Sequence, residues 1–218
     1  NEIFNIPFTF LIKKNEYNKS FYTNFKSRKL RVNIENEVNY EDDNKKGVLE
    51  ILLLNKDTSL EYEIKKNQIL FKSDENKHTY DGIIELVPFY LIANFYYDGI
   101  STKDLLTDDS VIFDILKSGI FNNKNLSTSL NVNVKKIINV NELKNLFLKI
   151  AIEDGNFNLS NSNVMWKDDL KITLQESQLT HDENEISLLG RVDVKIKDIN
   201  DFYKSFQIKK KSRKKIDQ

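Results

Sequence analysis

The chain has 218 residues, and its 33 basic and 33 acidic side chains balance to a formal net charge of zero. It has no cysteine, two histidines, six glycines and two prolines. This excludes a disulfide frame, a thiolate nucleophile and a Cys-ligated metal; it removes any overall pull toward nucleic acid and leaves little glycine for phosphate-cradling loops.

A chain of this length folds to roughly 10,000 Å² of accessible surface, enough for one large core. The expectation is a single β-rich domain over 1–218, with a helical insertion near 99–125 as the one place of subdivision. Asn supplies about one residue in eight and is scattered among charges, as AT-rich codons would give. No run of 18 apolar residues is present, so nothing in the sequence reads as a membrane-spanning helix. Asn1 to Phe10 carry neither a basic start nor an apolar signal stretch. The chain therefore reads as a segment of a longer protein, with any targeting signal outside it.

In chain order, the dominant pattern is alternation with period two. Leu30, Val32 and Ile34 alternate with Arg31, Asn33 and Glu35. Acidic and Asn-containing turns are expected at Glu41–Gly47 and at Asn55–Asp57. Between and after them, Leu60, Tyr62 and Ile64 alternate with Glu61, Glu63 and Lys65. Ile83 to Tyr97 is the most apolar stretch, read as one long strand interrupted at Pro88. Ser101 is placed to cap a helix running to about Ser118, with Leu105, Leu106, Ile112, Ile115 and Leu116 on one face and Gly119 at its stop.

From Leu126 to Lys197 the pattern predicts a meander of about five strands. Leu130, Val132 and Val134 are apolar against Asn131, Asn133 and Lys135. Asp154-Gly155 is a short hairpin signal. Leu170, Ile172 and Leu174, then Val192, Val194 and Ile196, repeat the alternation. Lys167-Asp168-Asp169 and His181 to Asn184 read as turns. Asp198 to Phe206 reads as a short helix with Ile199, Phe202, Tyr203 and Phe206 as its apolar stripe.

The expected class is therefore mainly β, in the α+β sense. It is an antiparallel meander forming a curved, one-sided apolar sheet or groove with one or two short helices.

The chemistry of sites is sparse. The acid pairs Asp42-Asp43, Asp108-Asp109 and Asp168-Asp169 sit in turns and caps, not across a cleft as glycoside hydrolysis requires. His78 and His181 lie far apart and suit exposed positions. No phosphate-loop, dinucleotide, zinc-protease or nucleophile-elbow motif occurs. The expectation is no enzyme activity, no metal, no cofactor and no nucleic-acid partner. Lys209 to Lys215 has six basic residues in seven, without interleaved aromatics. It reads as a solvated segment leading to a further strand, with contact to anionic lipid heads or to nucleic-acid phosphates as the alternatives. Trp166 is expected to cap the sheet edge or the core.

The informative feature is the apolar side of the strands, which something must cover. A closed core of helices or a second sheet would do so, and so would lipid chains, since each methylene taken out of water contributes about 0.8 kcal/mol. The groove candidates are Leu60, Tyr62, Ile64, Val132, Val134, Leu170, Ile172, Leu174, Val192 and Val194.

Gly82 to Phe206 resembles the AsmA-like branch of the AsmA/TamB superfamily. The resemblance rests on Gly82-Ile83-Ile84-Glu85-Leu86-Val87-Pro88-Phe89, an apolar strand followed by Pro-Phe. It continues with Leu105 to Ile120 before Phe121 to Leu126, then with the acidic-Gly turn of Ile152 to Phe157. It ends with Leu188 to Val194 before Asp198 to Tyr203. It implies a non-enzymatic periplasmic domain with a β-sheet groove. It further implies a role in phospholipid transport and outer-membrane assembly and homeostasis, with phospholipid acyl chains as partners. The anchor would be an N-terminal segment in the bacterial inner membrane, outside these residues. The alternative is a structural or scaffolding β module with a closed core and no lipid ligand; a surface module using the basic C-terminal run is the third reading.

Overall fold

A computed structural model describes residues 2–3, 6–29, 31–41, 45–53, 56–73, 79–101, 127–181 and 186–213. The mainly β class holds: among the described residues fourteen strands form one long sheet, accompanied by a two-stranded ribbon and one short α-helix. The ribbon is β1 (Glu2–Ile3) with β2 (Ile6–Pro7).

The first half of the sheet is an uninterrupted up-and-down series. It comprises β3 (Thr9–Asn15), β4 (Ser20–Ser27), β5 (Val32–Asn39), β6 (Lys45–Leu53), β7 (Lys56–Lys65), β8 (Gln68–Ser73), β9 (Tyr80–Leu86) and β10 (Phe89–Ser101). Each strand pairs antiparallel with the next. Gly47 lies inside β6, and Lys56 and Asp57 inside β7, so both of those turns are shorter than the sequence pattern indicates.

The apolar stretch Ile83–Tyr97 is two strands, not one. The chain reverses at Val87-Pro88, and Phe89 pairs back onto Leu86. Proline cannot donate a ladder hydrogen bond, so it ends β9 instead of interrupting a longer strand.

The antiparallel expectation fails at one junction. β10 pairs parallel with β11 (Ser127–Ile138), from Tyr90 opposite Ser127 to Ser101 opposite Ile138. A parallel neighbour needs a long return connection instead of a tight turn, and residues 102–126 span that interval. The predicted Ser101–Ser118 helix lies outside the described residues, except that Ser101 itself ends β10.

The second half is the expected meander, with one broken strand. β12 (Leu143–Glu153) pairs with β11, turns at Asp154-Gly155, and continues as β13 (Asn156–Asn158). Both turn residues have positive φ, 51° and 79°, the backbone of a tight two-residue hairpin. After a break at Leu159–Ser162 the same line resumes as β14 (Asn163–Trp166), again against β12.

Both pieces pair with β15 (Leu170–His181), and β16 (Ile186–Ile196) pairs with β15 as the outermost strand there. Serines hold the break together. The Ser162 hydroxyl accepts from Lys149 N–H at 3.0 Å and donates to Lys149 C=O at 3.2 Å. Ser177 N–H donates to the Ser160 hydroxyl at 2.8 Å, and Leu159 N–H donates to that of Ser177 at 3.1 Å. Side chains thus replace the ladder bonds that the strand loses.

The predicted C-terminal helix is present as α1 (Ile199–Ser205). The Asp198 side chain caps it by accepting from Asn200 and Asp201 N–H. Lys210–Ser212 form a 3-10 turn, and the Arg213 guanidinium lies 5.2 Å over the Tyr203 ring.

Candidate functional site: an open apolar sheet face

Residues paired across neighbouring strands point to the same side of a sheet, so the register assigns every side chain to a face. One transverse row reads Lys14, Phe21, Val38, Gly47, Tyr62, Phe71, Gly82, Ala93, Leu130, Ile150. A parallel row reads Ile64, Ile69, Ile84, Leu91, Thr128, Ile152, Phe157, Leu179, Leu188. The side chains of both rows are apolar except for Lys14 and Thr128.

All ten groove candidates fall on this one face. Leu60, Tyr62 and Ile64 alternate on β7, and Val132 and Val134 follow two and four residues after Leu130 on β11. On the far side, Phe147 pairs with Asn163, which puts Val164 on the opposite face from Phe147, with Leu146 and Leu148. Val164 then pairs with Ile172, and Ile172 with Val194. Leu170, Leu174 and Val192 follow by alternation.

The face is kept although two bulges intervene. Asn145 and Glu176 carry the extra residues with φ of 50° and 47°, and each re-phases the strand it interrupts.

The opposite face is wet. It carries a ladder of amides and charges running across strands. Lys72 lies 3.3 Å from Glu61. Asn94 Nδ2 donates to Asp81 at 2.9 Å, and Asn131 Nδ2 donates to Asn94 at 3.0 Å. Asn24 and Asn33 make a similar pair at 2.9 Å. The abundant Asn therefore has a structural use that composition did not reveal.

Apolar side chains also reach the wet side: Leu70, Ile83 and Ile92 line up there, and Val48 stands between Glu37 and Glu61. An open hollow of about 860 Å³ lies there among Lys46, Glu61, Lys72, Asp81, Leu70 and Ile83. It is a gap between long side chains.

Among the described residues the apolar face is only partly covered. The chain exposes 15452 Å², about half as much again as a compact monomer of its size. Among the described residues only seven apolar side chains are buried: Tyr62, Ala93, Val134, Ile137, Ile152, Leu170 and Tyr203. Of the ten candidates, Tyr62, Val134 and Leu170 are buried, and Val192 and Val194 are 58% and 51% exposed. The other five lie between.

α1 covers one end, where the Phe206 ring stands 5.8 Å from Trp166. Trp166 thus packs under the helix end, as expected of a cap. Its buried Nε1 has no partner among the described residues.

Tyr62 is the most constrained candidate. Its ring lies over Gly47, where a Cβ would collide with it, and its hydroxyl donates to Asn36 Oδ1 at 2.8 Å. Burial pushes the phenol above the ordinary tyrosine range. An unfolded tyrosine ionises near pH 10, so the stability tied to the neutral buried phenol is present below that pH and lost as pH rises beyond it. Tyr62→Phe is expected to lower stability by about 1 kcal/mol at pH 8. It should also flatten the fall in melting temperature between about pH 9 and about pH 11, the interval that brackets tyrosine ionisation. Thermal melts across that range check both.

The chemistry-bearing residues do not converge. Asp168 sits in the β14–β15 turn beside Lys144 at 2.5 Å, and that ammonium holds its carboxyl below the usual range. Lys135 does the same for Asp98. Asp42-Asp43, Asp108-Asp109 and His78 lie outside the described residues, and His181 ends β15.

Among the described residues no three His, Cys, Asp or Glu side chains gather as a metal site, and no helix is long and apolar enough to cross a membrane. Comparison with protein families, with curated proteins and with solved structures found no match to this chain.

Proposed function

We propose that this chain is a non-enzymatic, lipid-handling β module whose apolar sheet face holds phospholipid acyl chains. One observation carries the reading. Ten alternating residues on four strands, Leu60 to Val194, share one mainly apolar face that the described residues only partly cover.

Such a face suits a ligand that is long, apolar and unselective about position. About ten methylenes half-covered by it would contribute on the order of 4 kcal/mol. Placement in the bacterial periplasm, with an inner-membrane anchor elsewhere in the protein and a part in phospholipid transport and outer-membrane homeostasis, belongs to the same proposal through the AsmA resemblance.

The test is native mass spectrometry of the purified chain with lipid extraction from the same sample. Co-purifying phospholipid is expected, and Ile172→Asp should remove it while far-UV circular dichroism stays unchanged. A folded wild-type chain free of lipid would sink the reading.

α1 favours a second one. The helix already seals the Trp166 and Leu170 end of the face with protein. A scaffolding module would have the rest of the face sealed in the same way, by protein instead of lipid, and Ile172→Asp would then unfold the chain.

A further inference from the structure

The sheet has two outer edges. β3 pairs only with β4 and β16 only with β15 among the described residues. An unpaired edge is a template for another strand. The two edges differ in charge. β3 carries Lys13 and Lys14 and no acid, so no self-pairing of that edge sets opposite charges across the ladder. β16 carries Arg191, Asp193 and Lys195 on the wet face, and the exposed Leu188, Val192 and Val194 on the apolar face.

The direction of its free backbone groups is fixed by the ladder. Lys197 N–H donates to Asp169 C=O at 2.7 Å, one step beyond the Leu170–Ile196 pair. Alternation then turns the N–H and C=O of Lys195, Asp193 and Arg191 toward β15 and those of Gly190, Val192, Val194 and Ile196 toward the open edge.

We propose that β16 pairs antiparallel with β16 of a second copy, in a two-fold register centred on Val192. Val192 then faces its own symmetry mate, Gly190 faces Val194, and Leu188 faces Ile196. These are the residues whose backbone groups point outward, so every pair between 188 and 196 on that face is hydrogen-bonded and apolar.

On the wet face Arg191 of each copy stands opposite Asp193 of the other, which gives two ion pairs by symmetry. The neighbouring registers do the reverse. Centring on Arg191 sets two guanidinium groups face to face. Centring on Asp193 sets two carboxylates together and Arg191 against Lys195.

Like charges directly opposite are unfavourable in a sheet, so these residues disfavour the registers centred on Arg191 and on Asp193; centring on Val194 would pair Asp193 with Lys195 but set Arg191 against Lys197, and centring on Gly190 would leave Arg191 opposite Leu189. The pairing continues the apolar face from one copy into the next. It does not depend on lipid, so its failure would leave the lipid reading standing.

The test is the self-association of the whole chain, without lipid, by sedimentation equilibrium. A dimer is expected for the wild type. Asp193→Arg should weaken it by about tenfold or more, because both symmetric pairs become repulsive. Arg191→Asp combined with Asp193→Arg should restore it.

Val192→Pro removes only an outward N–H and leaves the β15 ladder intact, so it should give a folded monomer. The chain has no cysteine, so Val192→Cys introduces a single thiol that should oxidise to a covalent dimer. Leu188→Cys should not, because its two copies would lie ~27 Å apart along the strands. A monomeric wild type, a dimer that survives Val192→Pro, or equal cross-linking at both positions would overturn the proposal.

Discussion

Gly82→Ala is expected to destabilise the chain by about 2–3 kcal/mol or more, toward the upper end of overpacking costs. Gly82 sits on β9, the middle of the sheet, in the row between Phe71 and Ala93. A Cβ there would collide with the Ile92 carbonyl oxygen and with the Phe71 ring. The ring has room to rotate at the loss of its packing. The carbonyl belongs to the neighbouring strand and moves only if β9 and β10 part.

Because each strand touches only its neighbours, parting β9 from β10 separates the seven strands β3 to β9 from the rest. The loss is cooperative across the middle instead of a fraying of one edge. Chemical denaturation should show either a single transition at lower denaturant or a split into two.

Gly47→Ala is the control. There the nearest atoms all belong to Tyr62, with Cζ at 2.6 Å and Cε1 at 2.7 Å. The cost should largely disappear in a Tyr62→Ala background, as a double-mutant cycle would show. No side-chain truncation should rescue Gly82→Ala, since the obstacle is backbone.

These glycines mark where the sequence was hardest to read. Period two is a strong signal because one face of each strand is apolar along its length. It located the strands around Ile34, Tyr62, Val132, Ile172 and Val194 and also set their faces. The register brings those faces together, even across the bulges at Asn145 and Glu176.

The sequence was silent on features without periodicity. Gly47 beside an acidic run looks like a turn residue, yet its place is set by Tyr62, fifteen positions on. Pro88 in an apolar stretch is compatible with an interrupted strand or with a hairpin, and only the pairing of Phe89 with Leu86 decides. The serines at 160, 162 and 177 look like ordinary polar positions. Their hydroxyls replace backbone partners at a break that no pattern announces. The parallel β10–β11 junction is a property of the path through residues 102–126 and leaves no mark on either strand.

Ile152→Ala is expected to cost about 2–5 kcal/mol, lowering the melting temperature on the order of 10 °C for a chain of this length. Ile152 is 0% exposed, flanked in its row by Thr128 and Phe157. Truncation there leaves a cavity that neighbours fixed by the ladder cannot close. Val192→Ala lies on the same face and is also β-branched, but Val192 is 58% exposed. Its loss should move stability by no more than about 0.5 kcal/mol.

The two substitutions measured side by side divide the face into a part sealed by its own side chains and a part left to an occupant. Residues that hold a ligand are then those whose truncation leaves the melting temperature in place and lowers bound phospholipid. Residues of a closed core would lose both together. If Val192→Ala and Ile172→Ala each cost as much as Ile152→Ala, the face is packed throughout and the scaffolding reading replaces the lipid one. A graded series, large at Ile152 and small toward Val192, is the outcome that partial coverage of the face requires.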